Sequence, residues 1–296
     1  MNIIVIGASG FIGNHIYTMG KNDGHLVLGT TNSKRNIDLV AFNMVSDEIK
    51  NILTLNFTTD PANTICIICA AISKIDFCVI DNVYSEKINV HATIRLIEEL
   101  SSLGIKVVFL STDYVFDGKD GGYSEEDHVN PITEYGRQKV KIEKFIMDTS
   151  SSNLIVRLSK ILGDNQDYLH PFSEWYKQIT KKETIYCIKD QIFSPTFVGD
   201  VYKGIIALIN KRCTGVYHLA NSEIFSRERL ISLFIEKIGM KTEIVEKELK
   251  DFYFIDNRTL KSYLNSTKFQ NEVGLNFTKM SDIAERFAAN AVQLRA

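Results

Sequence analysis

The chain has 296 residues, enough for one large domain or two closely joined ones. A hydrophobic fraction of 45% beside 24% charged residues is that of a globular protein and excludes disorder as the main state. Lys and Arg total 34 against 36 for Asp and Glu, a net of −2, which excludes the broad basic field of a general nucleic-acid binder and leaves phosphate recognition to local sites.

In chain order, residues 2–6, 25–29, 64–69, 105–110 and 153–158 are short β-branched, nearly all-apolar runs that read as strands. Between them, residues 11–19, 85–100 and 134–147 have helical spacing, with Ile88, Val90, Ile94 and Ile97 on one helix and Val140, Ile142, Phe145 and Ile146 on another. Alternating strands and helices build βαβ units, and strands apolar on both sides require a sheet covered on both faces. Beyond Gly163 the alternation loosens: helices are expected at 175–180, 201–210 and 226–238, strands at 184–188 and 216–219. Ser226 is the expected N-cap and Gly239 the stop of the clearest of these helices. The predicted fold is α/β, a Rossmann-type doubly wound parallel sheet with a smaller, mainly C-terminal substrate-binding lobe. Residues 1–162 form the dinucleotide-binding part, the chain returns to it around 190–215, and 163–189 with 216–296 form the lobe.

The run Met1-Asn2-Ile3-Ile4-Val5-Ile6 meets Gly7 too soon to be a signal peptide, and no apolar stretch reaches the ~18 residues of a membrane span, so the chain reads as cytoplasmic with no membrane partner. Five cysteines, an odd number, do not form a disulfide framework. Cys66 and Cys69 are spaced as C-x-x-C, but positions i and i+3 of a strand point to opposite faces, so they read as buried packing residues. His15, His25 and His91 lack ligand-spaced partners, and no metal is expected.

Gly7-Ala8-Ser9-Gly10-Phe11-Ile12-Gly13 follows the first strand and opens the first helix. Glycines there allow a tight turn and close approach of a pyrophosphate, whose charge the free N–H groups of a helix start attract. After the second strand the chain reads Gly29-Thr30-Thr31-Asn32-Ser33-Lys34-Arg35, without the acid that would hold a ribose 2′-hydroxyl. Lys34 and Arg35 are instead suited to the 2′-phosphate of NADP, so NADP(H) is favoured over NAD(H).

Ser111-Thr112-Asp113-Tyr114-Val115-Phe116-Asp117-Gly118 follows the 105–110 strand, and Tyr135-Gly136-Arg137-Gln138-Lys139 follows in turn. Tyr135 and Lys139 are i and i+4 and share one helix face. An ammonium beside a phenol favours the phenolate and is expected to lower its pKa, fitting Tyr135 for proton transfer, while Thr112 bonds the substrate oxygen. Tyr114 and Phe116 read as packing residues.

These motifs resemble those of the extended short-chain dehydrogenase/reductases and, within them, the dTDP-4-dehydrorhamnose reductase group. The more specific pieces are Ser111–Gly118 with Asn130-Pro131 before Tyr135, then Asp190-Gln191-Ile192-Phe193-Ser194-Pro195-Thr196 and Gly215-Val216-Tyr217-His218-Leu219-Ala220. The resemblance implies Thr112, Tyr135 and Lys139 as the catalytic triad. It implies Gly7, Gly10, Phe11, Ile12, Gly13, Ala70, Ala71 and Ser111 along the cofactor, and Asp113 on the sugar. Asn89 would sit behind the catalytic lysine, or serve only to bond a helix bend. Three departures bear on the substrate. Lys160 stands where the rhamnose enzymes have a tryptophan of the sugar pocket, and an ammonium there could meet a carboxylate or phosphate on a different sugar. Phe193 replaces a usual glycine and would reshape the same wall. Arg258, in an Arg-Thr-Leu run where Arg-Pro is usual, is a candidate diphosphate contact.

The implied activity is NADPH-dependent reduction of a keto-sugar nucleotide, most simply at C4 of a 4-keto-6-deoxyhexose, and the resemblance allows a homodimer. Two alternatives stay open. An epimerase or dehydratase could use the same scaffold, although Thr112-Asp113-Tyr114 offers one acid where dehydratases carry a pair. A non-catalytic regulator is the other, since the NADP-binding regulatory subunit of methionine adenosyltransferase resembles the same group.

Overall fold

The computed structural model describes residues 1–32 and 38–293. Seven strands, β1 (Asn2–Ile6), β2 (Leu26–Thr31), β3 (Val40–Ala41), β4 (Thr64–Ile68), β5 (Lys106–Thr112), β6 (Leu154–Leu158) and β7 (Gly215–Leu219), form one sheet in the order β7-β6-β5-β4-β1-β2-β3. Every pairing in it is parallel. The chain winds one way from β1 through β3, then crosses back to place β4 on the other side of β1. That reversal opens a crevice beyond the carboxyl ends of β1 and β4, the place where ligands bind in doubly wound sheets.

Alternation along the strands divides the core. Ile3, Val5, Ile65 and Ile67 face one layer with Ile16, Tyr202, Ile205 and Phe269, drawn from helices Phe11–Asn22, Val198–Asn210 and Thr267–Val273. Ile4, Ile6, Cys66 and Ile68 face the other with Leu96, Ile97, Ile142 and Ile146 of helices Thr93–Ser102 and Glu134–Thr149. Each large side chain buried this way contributes roughly 1.5–3 kcal/mol before chain entropy is counted.

A separate core lies in the lobe, where Phe172, Trp175, Phe234 and Phe287 meet from helices Pro171–Thr180, Arg227–Ile238 and Met280–Gln293. Phe172 stacks on Phe234 with centroids 4.4 Å apart. Ser226 caps its helix, its side chain accepting the N–H of Arg229 at 3.1 Å, and Gly239 ends that helix at φ 64°. The lobe does not own the whole of 216–296: β7 hydrogen-bonds to β6, and helix Thr267–Val273 packs on the main sheet.

Several bounds differ from those expected. β5 runs on through Ser111 and Thr112, because these two continue the ladder opposite Arg157 and Leu158. β4 stops at Ile68. Cys66 is buried as expected, whereas Cys69 lies just past the strand and is half-buried at the edge of the crevice. The helix expected over 85–100 is interrupted by a wide π turn, Lys87–Ala92, between helices Asn82–Glu86 and Thr93–Ser102. Phe193 does not form the wall expected of it. It pairs with Phe225 and is only 3% exposed, packed inside the lobe. Among the described residues no helix is long and apolar enough to cross a membrane, and no group of three or more His, Cys, Asp and Glu side chains is placed to hold a metal ion.

Candidate active site

Gly7, Gly10, Phe11, Ile12, Gly13, Ala71, Ser111, Thr112, Tyr135 and Lys139 line one cleft of about 350 Å³ at the carboxyl end of the sheet. Four segments far apart in sequence therefore converge at the crevice where the strand order reverses. Gly7, Ala70 and Ala71 also line a second hollow of about 360 Å³ with Thr30, Asn32 and Met44. Each is the size of a ligand pocket, and sharing Gly7 and Ala71 makes them two ends of one groove. Lys34 and Arg35 follow Asn32 in sequence but lie outside the described residues.

The glycine turn fits a dinucleotide for steric reasons. Gly7 has φ 87°, and a Cβ on it would lie 2.9 Å from the Ala70 backbone; one on Gly13 would lie 2.2 Å from the Gly7 carbonyl oxygen. A side chain at either position would collide with the backbone of the loop after β4 or of the turn itself, so this close packing requires glycine. Deeper in, the Ser111 and Ser159 hydroxyls are buried with no hydrogen-bond partner among the described residues, and both residues line the cleft. Buried hydroxyls are rarely left unpaired, so the pair is consistent with a bound polar cofactor at this point.

Helix Glu134–Thr149 carries Tyr135 and Lys139. Thr133 caps it, its hydroxyl accepting the Gly136 N–H at 3.0 Å, which fixes the first turn and so the direction of Tyr135. The Lys139 ammonium donates to the Leu110 carbonyl at 2.7 Å and sits 4.4 Å from the centre of the Phe109 ring. Burial brings its pKa down to about 8. The Tyr135 phenol moves opposite to expectation: burial first, then the neighbouring Cys78, Asp113 and Tyr114, push it up. Lys139 spends its short hydrogen bond on Leu110 and stands 5.7 Å from the Tyr135 ring, too indirect to offset that desolvation. Tyr135 is thus held as a protonated donor.

The Thr112 hydroxyl donates to the Asp113 carboxylate at 3.0 Å and accepts the Tyr114 N–H at 3.2 Å. Burial raises the Asp113 pKa against the pull of Ser262 and Lys160. Tyr114 packs edge-on to Tyr135, and Phe116 stacks on Tyr123, as expected of packing residues. Cys69 contributes to the cleft wall, its thiol pushed up to about 12 by burial.

Behind the helix, Asn89 sits in the π turn. Its carboxamide accepts the Ile72 N–H at 2.8 Å, donates to the Ile72 carbonyl at 2.9 Å and donates to Gln138 Oε1 at 2.8 Å. Gln138 in turn donates to Ser85 at 3.0 Å. The extra residue of the turn brings Asn89 within reach of both the loop after β4 and the residue preceding Lys139. Gln138, Ser85, Ser159 and Arg227 are not marked by any local motif, because their partners lie 36 to 53 residues away or, for Ser159, are not found among the described residues.

Lys160 follows β6 and is half-buried. Burial lowers its pKa, Arg227 lowers it further, and Asp113 opposes the shift. Arg258 is anchored elsewhere: one terminal nitrogen bonds Asp76 at 2.9 Å, the other bonds the Asp256 and Asn257 carbonyls, and the guanidinium lies 4.2 Å from the Phe254 ring centre.

The chain is 27% identical over 288 residues to "Probable low-salt glycan biosynthesis reductase Agl14" of Haloferax volcanii, covering 95% of each chain. It is 27% identical over 222 residues to the dTDP-4-dehydrorhamnose reductase of Aggregatibacter actinomycetemcomitans, covering 70% of this chain and 74% of that one. The fold superimposes with a TM-score of 0.84 on the crystal structure of dTDP-4-dehydrorhamnose reductase from Bacillus anthracis str. Ames in complex with NADP, at 23% identity and covering 97% and 98% of the two chains. The model of the RmlD substrate binding domain matches residues 1–292, nearly the full length, and the chain belongs to that family.

Proposed function

We propose that this protein is an NADPH-dependent reductase of a keto-sugar nucleotide, acting on the C4 carbonyl of a 4-keto-6-deoxyhexose like that of dTDP-4-dehydrorhamnose. The observation that carries the reading is the meeting of Thr112, Tyr135 and Lys139 with the glycine turn in one cleft. When bound there, NADPH supplies the hydride. Gly7, Gly10, Phe11, Ile12 and Gly13 would hold its pyrophosphate, Ala70 and Ala71 its flank, and Ser111 and Lys139 its nicotinamide end.

Tyr135 gives its phenolic proton to the carbonyl oxygen as charge develops on it, and the elevated pKa keeps that proton in place until then. Lys139, a cation held by the Leu110 carbonyl, would hold the ribose at the nicotinamide end of the cofactor. Thr112 turns its hydroxyl from Asp113 to the same oxygen, which frees Asp113 to accept from a sugar hydroxyl. Purified protein with NADPH and dTDP-4-dehydrorhamnose, or a panel of other keto-sugar nucleotides, is expected to oxidise NADPH in proportion to sugar reduced. Cofactor binding without oxidation across the panel would refute the reductase and favour a regulatory role. Net consumption of NADPH also separates reduction from epimerisation, which returns its hydride to the sugar.

Cofactor preference is a second expected result. The β2 end lacks a ribose-binding acid and continues into Lys34-Arg35, so NADPH should bind more tightly than NADH by about 1–3 kcal/mol. Neutralising both basic residues should abolish the difference, as titration calorimetry would register. Tighter binding of NADH by the unaltered protein would contradict the reading.

A further inference from the structure

Ser111 and Ser159 are 5% and 8% exposed, both line the cleft, and neither hydroxyl has a hydrogen-bond partner among the described residues. The Thr112 hydroxyl between them is, by contrast, bonded on both sides, to the Asp113 carboxylate and the Tyr114 N–H. Ser111 precedes Thr112 on β5, and Ser159 follows Leu158, the register partner of Thr112 on β6. The ladder therefore brings the two serines to the carboxyl ends of neighbouring strands, beside the residue that meets the substrate oxygen.

The surroundings of the pair select among ligand groups. Leu110, Leu158, Ile161 and Leu169 line the same cleft, and apolar walls of this kind suit a flat ring rather than a polyol. A hexose carries hydroxyls around its whole rim and needs more partners than two. A pyrophosphate has the glycine turn and the start of helix Phe11–Asn22, and two neutral hydroxyls among apolar walls would leave its charge uncompensated. The nicotinamide carboxamide matches the pair in number and in kind. It holds a carbonyl acceptor and an N–H donor side by side, and a serine hydroxyl can donate to the one or accept from the other.

We propose that Ser111 and Ser159 bind the carboxamide of the nicotinamide, one donating to its carbonyl oxygen and the other accepting from its amide N–H. The inference rests on the cofactor half of the reductase reading and deepens it, bringing in Ser159 and giving each serine a defined partner. A carboxamide held at two points fixes the rotation of the ring about its ribose bond, and so which face the ring turns towards the substrate carbonyl.

Titration calorimetry on the full chain tests this with NADP⁺, with its 3-acetylpyridine analogue, in which a methyl ketone replaces the amide, and with 2′-phospho-ADP-ribose, which has no nicotinamide. Ser111→Ala and Ser159→Ala should each weaken NADP⁺ binding by roughly three- to tenfold and leave 2′-phospho-ADP-ribose binding unchanged. The unaltered protein should prefer NADP⁺ to the analogue, and that preference should disappear in the variant lacking the hydroxyl that accepts the N–H. Melting temperatures of the cofactor-free variants should not fall, because alanine removes a hydroxyl that has no partner to lose. Full NADP⁺ affinity in either variant would overturn the inference and leave the reductase reading standing. A lowered melting temperature would show the hydroxyls paired within the protein and overturn it too. Equal weakening of NADP⁺ and 2′-phospho-ADP-ribose would assign the serines to the pyrophosphate and its ribose, with the same consequence. Failure of the unaltered protein to bind NADP⁺ would overturn the cofactor reading and the inference with it.

Discussion

Replacing Tyr135 by phenylalanine is expected to lower turnover by roughly 10²–10⁴-fold while NADPH affinity stays nearly unchanged. The change deletes one hydroxyl and keeps the ring that packs edge-on against Tyr114, so little else in the cleft has reason to move. Lys139→Met should behave differently and damage both properties, because its ammonium is fixed at the Leu110 carbonyl, on the strand that continues into Ser111 and Thr112. Single-turnover rates with calorimetric cofactor affinities separate the two outcomes. Near-normal turnover in Tyr135→Phe would end the mechanism, and a Lys139 defect confined to turnover would show that this lysine does not hold the cofactor. The same lysine sets a pH dependence. Its pKa falls from 10.5 to about 8, so kcat/KM should decline as pH rises past about 8 and the ammonium loses its proton. The effect on stability has the opposite sign. Between about 8 and 10.5 the unfolded chain still holds the proton that the native state has released, so this group's contribution to stability grows with pH across that window.

How much of this site was legible in the sequence depends on how local each signal was. The glycine turn, the strand–helix alternation and the Tyr135/Lys139 spacing are written within seven residues or within one helix repeat, and the structure brings them into one cleft. The π turn at Asn89 was not legible, since one added residue shifts a helical stripe by less than the width of the stripe, and the apolar positions around it stay apolar. Phe193 was read as a pocket wall from the glycine it replaces, but strand pairing with Phe225 turns it into the lobe core, a contact made across 32 residues. The phenol's pKa was misjudged in direction because spacing shows which groups share a face and not how deeply the face is buried. Arg227 escaped for the same reason as Gln138: its partner is set by tertiary packing, and a basic residue at a helix start is ordinarily a solvated one.

The largest expected loss of stability comes from beneath the site. Arg157, in register with Ser111 on one side and His218 on the other, is 3% exposed, and the Glu143 that pairs with it is 1% exposed. The guanidinium bonds Glu143 through Nε at 3.0 Å and a terminal nitrogen at 2.7 Å, and a second terminal nitrogen lies 3.3 Å from His218 Nε2. The His218 Nδ1 atom faces the Tyr123 and Asn265 carbonyls at 3.1 and 3.2 Å, so it carries the proton and Nε2 accepts from Arg157. Burial and the Arg157 charge bring the His218 pKa to about 3, which keeps the ring in that neutral role throughout the physiological range. Glu143→Gln leaves the guanidinium buried without its counter-charge and should cost about 3–5 kcal/mol. Because a fully buried ion pair can be replaced by apolar groups at little net cost, Glu143→Leu combined with Arg157→Met should recover most of that loss. Denaturant unfolding of the two single variants and the double variant measures the coupling, and additive effects would show that the pair is not an energetic unit. Glu143 is one turn beyond Lys139 on the same helix, so the pair also clamps the helix that carries Tyr135 and Lys139 to β6. The double variant should then regain stability before it regains turnover, since methionine and leucine restore packing but not the fixed angle at which the helix presents Tyr135 and Lys139.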